Sequence, residues 1–232
     1  MLVHEQGSAK RLFFSFVWLL QKELRLEWRD KARLNATFFL GVTTLFLFSL
    51  AIGPKQVLLP RYVASFFYLA LFLSSTLALS ESMQKEKDNE AYLGMLLLPV
   101  HPAVFFLAKA CTNAFAILVQ GLVLLPLLFF LWNPPLTLGL PLLLGVLFFF
   151  TGAISAPGTL YAALAVQAKA RVVLLPLLLF PVLIPSLLSA VCATELIFAG
   201  DALGQLNHWL LLLVLFDLVF WPLTAYLFDK VL

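Results

Sequence analysis

The sequence predicts an all-helical integral membrane protein, six spans preceded by an amphipathic helix, and three observations carry that reading. Hydrophobic residues make up 62% of the 232 and the mean hydropathy is +1.01, whereas soluble chains hold about 45–50% apolar residues. The apolar residues gather into six runs, each long enough to cross about 30 Å of hydrocarbon as a helix. Those runs lack the alternation of a membrane β-strand, and any other backbone in lipid leaves its polar groups unpaired. Six spans and their connections use up the length, so residues 1–232 form one membrane domain.

The first element lies before the spans. Lys10-Arg11 followed by "LFFSFVWLL" has the shape of a signal-peptide core, but the next stretch, "QKELRLEWRDKAR", holds no small-residue cleavage site. On a helix Phe13, Phe16, Val17, Leu20, Leu24 and Trp28 share one face, and Lys22, Arg25, Arg29 and Arg33 gather on the other. Residues 12–33 are therefore expected to form an interfacial helix on the cytoplasmic leaflet, with Glu27 and Lys31 pairing at i, i+4. The plainer account is a basic anchor that sets topology and nothing else.

The spans follow at 34–52, 62–80, 110–131, 138–166, 172–192 and 209–227. The fourth contains Pro141, Gly152, Pro157 and Gly158, which predicts a tilted, kinked or broken helix. The fifth contains Pro176, Pro181 and Pro185. Proline frees carbonyls that neighbours must satisfy, so the fourth and fifth helices are expected to pack inward. With the N-terminus inside, 13 of the 15 Lys and Arg fall on the cytoplasmic side and only Lys55 and Arg61 on the other. The positive-inside rule then places both termini of this multi-pass protein in the cytoplasm. Lys109 is close enough to its span end to snorkel.

Between the second and third spans, 81–102 reads "ESMQKEKDNEAYLGMLLLPVHP", with six charges in its first ten residues in a chain that is 12% charged. Its polar part holds Lys85, Lys87 and Glu90, and its apolar part holds Tyr92, Leu93, Leu96 and Leu97. A solvated tether is the plain account. The alternative is a cytoplasmic coupling loop whose apolar part fills a cleft on a partner.

Signs of catalysis are few. No glycine is followed by lysine, so the G-x-x-x-x-G-K-[ST] loop is missing, as is a G-x-G-x-x-G turn. His4, His101 and His208 are scattered and form no metal-ligand spacing, and Cys111 and Cys192 form no Cys motif. His208, at the outer end of the last span, is either an axial haem ligand or a solvated helix end. A net charge of +3 gives no pointer to nucleic acid. Asp217 is the sharpest residue, because an ionised carboxylate in mid-span costs at least about 2.5–3.5 kcal/mol. It is expected to face the interior, paired with Gln120 or Thr151 in a pathway, or protonated at a helix interface.

Specific strings resemble the CcmB family, haem exporter protein B subunits of bacterial cytochrome c maturation systems. "KELRLEWRDKARLNATFF" resembles the family's basic amphipathic entry, and "TLFLFSLAIGP", Thr44 to Pro54, its first-span exit. "LLLPVHPAVFFLAKA", Leu96 to Ala110, and "KARVVLLPLLLFPVLIP", Lys169 to Pro185, are similar to its Leu-Pro loop and its Pro-x-x-Ile-Pro run. Glu90-Ala91-Tyr92-Leu93 departs from the family's Gly-x-Leu-Glu.

The resemblance implies an ABC-2 exporter-like permease without catalysis of its own. It would work with a cytoplasmic ABC ATPase, a haem-handling membrane protein, a small membrane subunit and a periplasmic haem chaperone. ATP hydrolysis in such a system accompanies release of the loaded chaperone, and haem would be a substrate and not a bound cofactor. The competing expectations are a transducer that moves nothing itself and a lipid or drug exporter subunit. A membrane enzyme ranks last.

Overall fold

The computed structural model describes residues 2–52, 60–88, 102–166 and 171–231, with side chains from residue 15 onward except at 85–88, 171–172 and 231. Seven helices lie among them: α1 Leu2–Arg29, α2 Lys31–Ile52, α3 Pro60–Asp88, α4 Pro102–Trp132, α5 Leu140–Ala165, α6 Arg171–Ala199 and α7 Leu206–Val231. Helices α2 to α7 are long and apolar enough to cross a membrane and match the six expected runs.

Local chemistry sets the helix ends. Pro60 and Pro102 open α3 and α4 at the first helical position, where the missing N–H costs nothing. Asn133 and Gly200, with φ of 41° and 96°, follow α4 and α6 in the left-handed region that ends a helix. The Thr137 hydroxyl lies 2.8 and 2.7 Å from the Ile197 and Phe198 carbonyls and so covers the last turn of α6. Asp201 accepts the Gln205 and Leu206 N–H groups at 2.8 and 3.0 Å before α7. Those bonds, the one from Leu206 foremost, hold the exposed carboxyl below its ordinary range.

Helix α5 sits at the centre, packed on α3, α4, α6 and α7, while α3 packs on α2, α4, α5 and α6. Phe67 and Tyr68 of α3 meet Phe150 of α5 in the core, the Tyr68 and Phe150 rings edge to face at 4.7 Å. With no apolar driving force between helices in lipid, side-chain hydrogen bonds fix the seams. The Tyr68 hydroxyl bonds Thr194 of α6 at 2.9 Å. Gln120 of α4 donates to the Thr37 carbonyl of α2 at 2.9 Å. Asn113 of α4 donates to Thr159 of α5 at 2.9 Å, and the Ser155 hydroxyl returns to the Ala110 carbonyl at 2.5 Å.

Two expectations change. Of the tilted, kinked or broken forms expected for the fourth run, the broken one falls away, since the helix continues through Pro157. The fifth is no more buried than α4, and the most buried span is α3, with 72% of its apolar window inside against 33% for α6. Small residues account for this. Ala64, Ala70, Ser74, Ser75 and Ala78 let neighbouring backbones close around α3, and the Ser74 and Ser75 hydroxyls donate to carbonyls of their own helix. The prolines of α6 cost it no burial and give it none.

Candidate functional site

The end of the bundle where α1 docks gathers most of the buried charge. Helix α1 stops at Arg29 and α2 starts at Lys31, with Asp30 between them as the cap of α2: its Oδ1 accepts the Arg33 N–H at 3.4 Å. The break turns the chain. Glu27 therefore pairs with Arg33 across the corner, and the expected i, i+4 partner Lys31 is left on an exposed face. Arg33 is buried, and beside Glu27 the carboxylates of Glu81 of α3 and Glu23 of α1 also act on its charge.

Glu23 supplies the second pair. Its Oε2 accepts from Lys109 Nζ of α4 at 2.7 Å, and its Oε1 lies 3.2 Å from Lys22 Nζ. Glu23 and Lys109 are 3% and 5% exposed, so Lys109 does not snorkel to water as expected but turns inward. Burial alone would raise the Glu23 carboxyl, yet Lys109 foremost and Lys22 after it hold it below its ordinary 4.5. Around the pair an apolar collar forms from Phe16 and Leu19 of α1, Phe105, Phe106 and Ala108 of α4, Leu160 of α5, and Ala225 and Phe228 of α7.

This charged junction flanks the candidate coupling segment. The segment begins as helix, since α3 runs on to Asp88, and Ser82 and Met83 are buried. Lys85 and Lys87 ride on the last turn of α3, their side chains outside the described residues, as are Glu90, Tyr92, Leu93, Leu96 and Leu97. What the structure brings together is α3 and α4, which lead into and out of that segment and pack on each other, with α1 tied to α4 and to α2 by ion pairs. Sequence reasoning missed Glu23 and Lys109 as partners because they stand 86 positions apart.

Asp217 lies far from this cluster in sequence, midway along α7. Its carboxyl packs on Gly152 of α5, where a Cβ would come within 2.9 Å of Oδ2. Neither expected partner reaches it, because Gln120 donates to Thr37 and the Thr151 hydroxyl to the Phe148 carbonyl. The buried Oδ1 has no hydrogen bond among the described residues. Gly152→Ala should therefore lower thermal stability by about 1–3 kcal/mol through overpacking. Asp217→Ala in the same chain should restore most of it; a drop in Gly152→Ala that Asp217→Ala leaves untouched would show that the glycine matters for another reason. His208 is exposed at the start of α7. No group of three metal-ligating side chains occurs among the described residues.

Comparison with known proteins points one way. The family model described as CcmB protein matches residues 14–230, which takes in all six spans. Heme exporter protein B of Pseudomonas aeruginosa is 33% identical over 181 residues, covering 75% of this chain and 77% of the relative. The protein of that name in Bradyrhizobium diazoefficiens is 29% identical over 216 residues, covering 89% and 93%. That of Rhodobacter capsulatus is 31% identical over 185 residues, covering 73% and 78%.

Proposed function

Because the chain belongs to the CcmB family, we propose that it is the permease subunit of an ABC-type haem exporter that serves c-type cytochrome maturation in a bacterial inner membrane. The observation that carries this is a family match running through every span of a chain whose sequence has no phosphate-cradling loop. Its partners are a cytoplasmic ABC ATPase, a haem-handling membrane protein with its small membrane subunit, and a periplasmic haem chaperone. Both termini lie in the cytoplasm, as the distribution of Lys and Arg supports. The α1 docking end is then the cytoplasmic end, and 81–102 is the coupling element: Lys85, Lys87 and Glu90 supply its polar part, and Tyr92, Leu93, Leu96 and Leu97 the apolar part suited to a cleft on the ATPase. Motion there reaches α3 and α4 directly, and α1 through the Glu23 and Lys109 pair.

A transducer that passes ATPase motion to its partners without carrying haem is the second reading. The filled centre favours it, where Phe67, Tyr68 and Phe150 are at most 1% exposed.

The test is biochemical. The purified chain alone should neither bind nor hydrolyse ATP, and turnover should appear on adding the partner ATPase. Hydrolysis by the isolated chain, free of contaminating ATPase, ends the permease proposal. In the complete system Asp217→Asn should express normally. Loss of chaperone release in that variant makes Asp217 part of the working path, and normal release makes it packing.

A further inference from the structure

Helix α1 presents three faces, and the docked one fixes where the other two point. Phe16, Leu19 and Glu23 are held against the first turns of α4, in an apolar cluster that also takes in Leu160 near the end of α5 and Ala225 and Phe228 near the end of α7. The helix thus sits at the level where three spans end, and it runs into α2 with one residue between. Val17, Leu20 and Leu24 lie half-exposed on the apolar side. Away from the docked face, Trp18, Gln21, Lys22, Arg25, Leu26 and Arg29 line an open cleft of about 290 Å³.

The chemistry of that cleft is specific. Lys22, Arg25 and Arg29 fall at i, i+3 and i+7, on one stripe of the helix. Lys22 shares its charge with Glu23, but Arg25 and Arg29 are exposed and their side chains make no hydrogen bond or ion pair among the described residues. Trp18 and Trp28 are 64% and 70% exposed, a high value for the largest amphipathic side chain. Indole rings beside guanidinium groups at the end of a span are what lipid headgroups accept: the ring lies among glycerol and carbonyl groups while the cation meets the phosphate.

We propose that Trp18, Lys22, Arg25 and Arg29 form a binding site for the phosphate of an anionic phospholipid in the leaflet that meets this end of the bundle. The two arginines hold the phosphodiester, as their planar donors suit it, and Trp18 lies against the glycerol backbone. The site goes beyond the transport function and does not depend on it, since lipid binding is measured on the chain without ATPase.

The experiment uses the full chain in phosphatidylcholine nanodiscs that contain a minor fraction of lipid brominated near the top of the acyl chain. The brominated lipid is either phosphatidylglycerol or phosphatidylcholine. The fluorescence difference between wild type and Trp18→Phe isolates the Trp18 signal. Brominated phosphatidylglycerol should quench that signal as though enriched about five-fold over phosphatidylcholine, the scale of one basic residue at an anionic surface. The Arg25→Gln/Arg29→Gln variant should bring the two lipids to parity, and Arg25→Lys/Arg29→Lys should keep most of the preference, which separates lost charge from lost fold. Inorganic phosphate in the buffer should leave the quenching unchanged. Equal quenching by both lipids in the wild type overturns the proposal, and so does competition by inorganic phosphate. It is overturned equally if the double Gln variant keeps its lipid preference and instead loses an acidic protein partner on purification.

Discussion

Replacing Glu23 by Gln should loosen α1 from the bundle, because it removes the carboxylate that lies 2.7 Å from the buried Lys109 ammonium, and breaking one side of a buried ion pair costs on the order of 3–5 kcal/mol. Lys109→Met should act in the same direction but less strongly, since Glu23 keeps Lys22 at 3.2 Å. The apolar contacts of α1 cannot absorb such a loss: apart from Phe16 and Leu19 its collar is supplied by other helices. The double variant Glu23→Leu/Lys109→Met should recover most of the stability, since an apolar pair of similar volume pays no desolvation cost. Limited trypsin digestion reads the effect. Cleavage at Lys22, Arg25 and Arg29 should accelerate in each single variant, more in Glu23→Gln, and return toward wild type in the double one. Three equal rates would mean that α1 is held by something other than this pair. Acid should act in the same direction. The Glu23 carboxyl lies below its ordinary 4.5 in the folded protein, so its contribution is complete above that value and fades as pH falls through the lowered native one. Docking of α1 should be constant near neutrality and weaken only in strong acid.

The second large effect concerns the coupling segment. Tyr92→Asp/Leu93→Asp should leave membrane insertion and protein level unchanged while abolishing co-purification of the ATPase. An aromatic and an aliphatic anchor in a partner's cleft carry most of an interface's energy, and a carboxylate there is buried without a partner. Charge reversal at Lys85 and Lys87 should weaken the association more at low salt than at high, since exposed charges are screened beyond about 10 Å at 0.1 M. ATPase retained at wild-type level by the double Asp variant would reduce 81–102 to a tether. Coupling would then be sought at Lys169 to Arg171 and α1.

The spans were legible because lipid demands long apolar helices, and a run such as 34–52 can be little else. Their ends were less so. The third span was expected to begin at 110, but α4 starts eight residues earlier at Pro102, since "PAVFFLAK" carries a lysine that reads as a boundary until its partner is known. The charge partners were illegible for two reasons. Glu27 and Lys31 obey the i, i+4 rule only on an unbroken helix, and Asp30 breaks this one by capping the next. Glu23 and Lys109 meet only through the fold. Asp217 was visible as an anomaly, but its neighbour Gly152, lacking a side chain, leaves no signal that composition can register.

The pairing of Glu23 with Lys109 also orders events on the ribosome. The lysine is made 86 residues after the glutamate, about 4 to 17 s later at roughly 5–20 residues per second. Once the first helix emerges from the ribosome it has no docking partner until the lysine follows, while α2 and α3 are being made. A segment that waits for its partner needs a resting place of its own, and Val17, Leu20 and Leu24 along its free side offer an apolar face for one. An amphipathic pattern suited to that wait would serve biogenesis as well as the finished fold, which an insertion assay with Val17, Leu20 and Leu24 replaced by Ser would test.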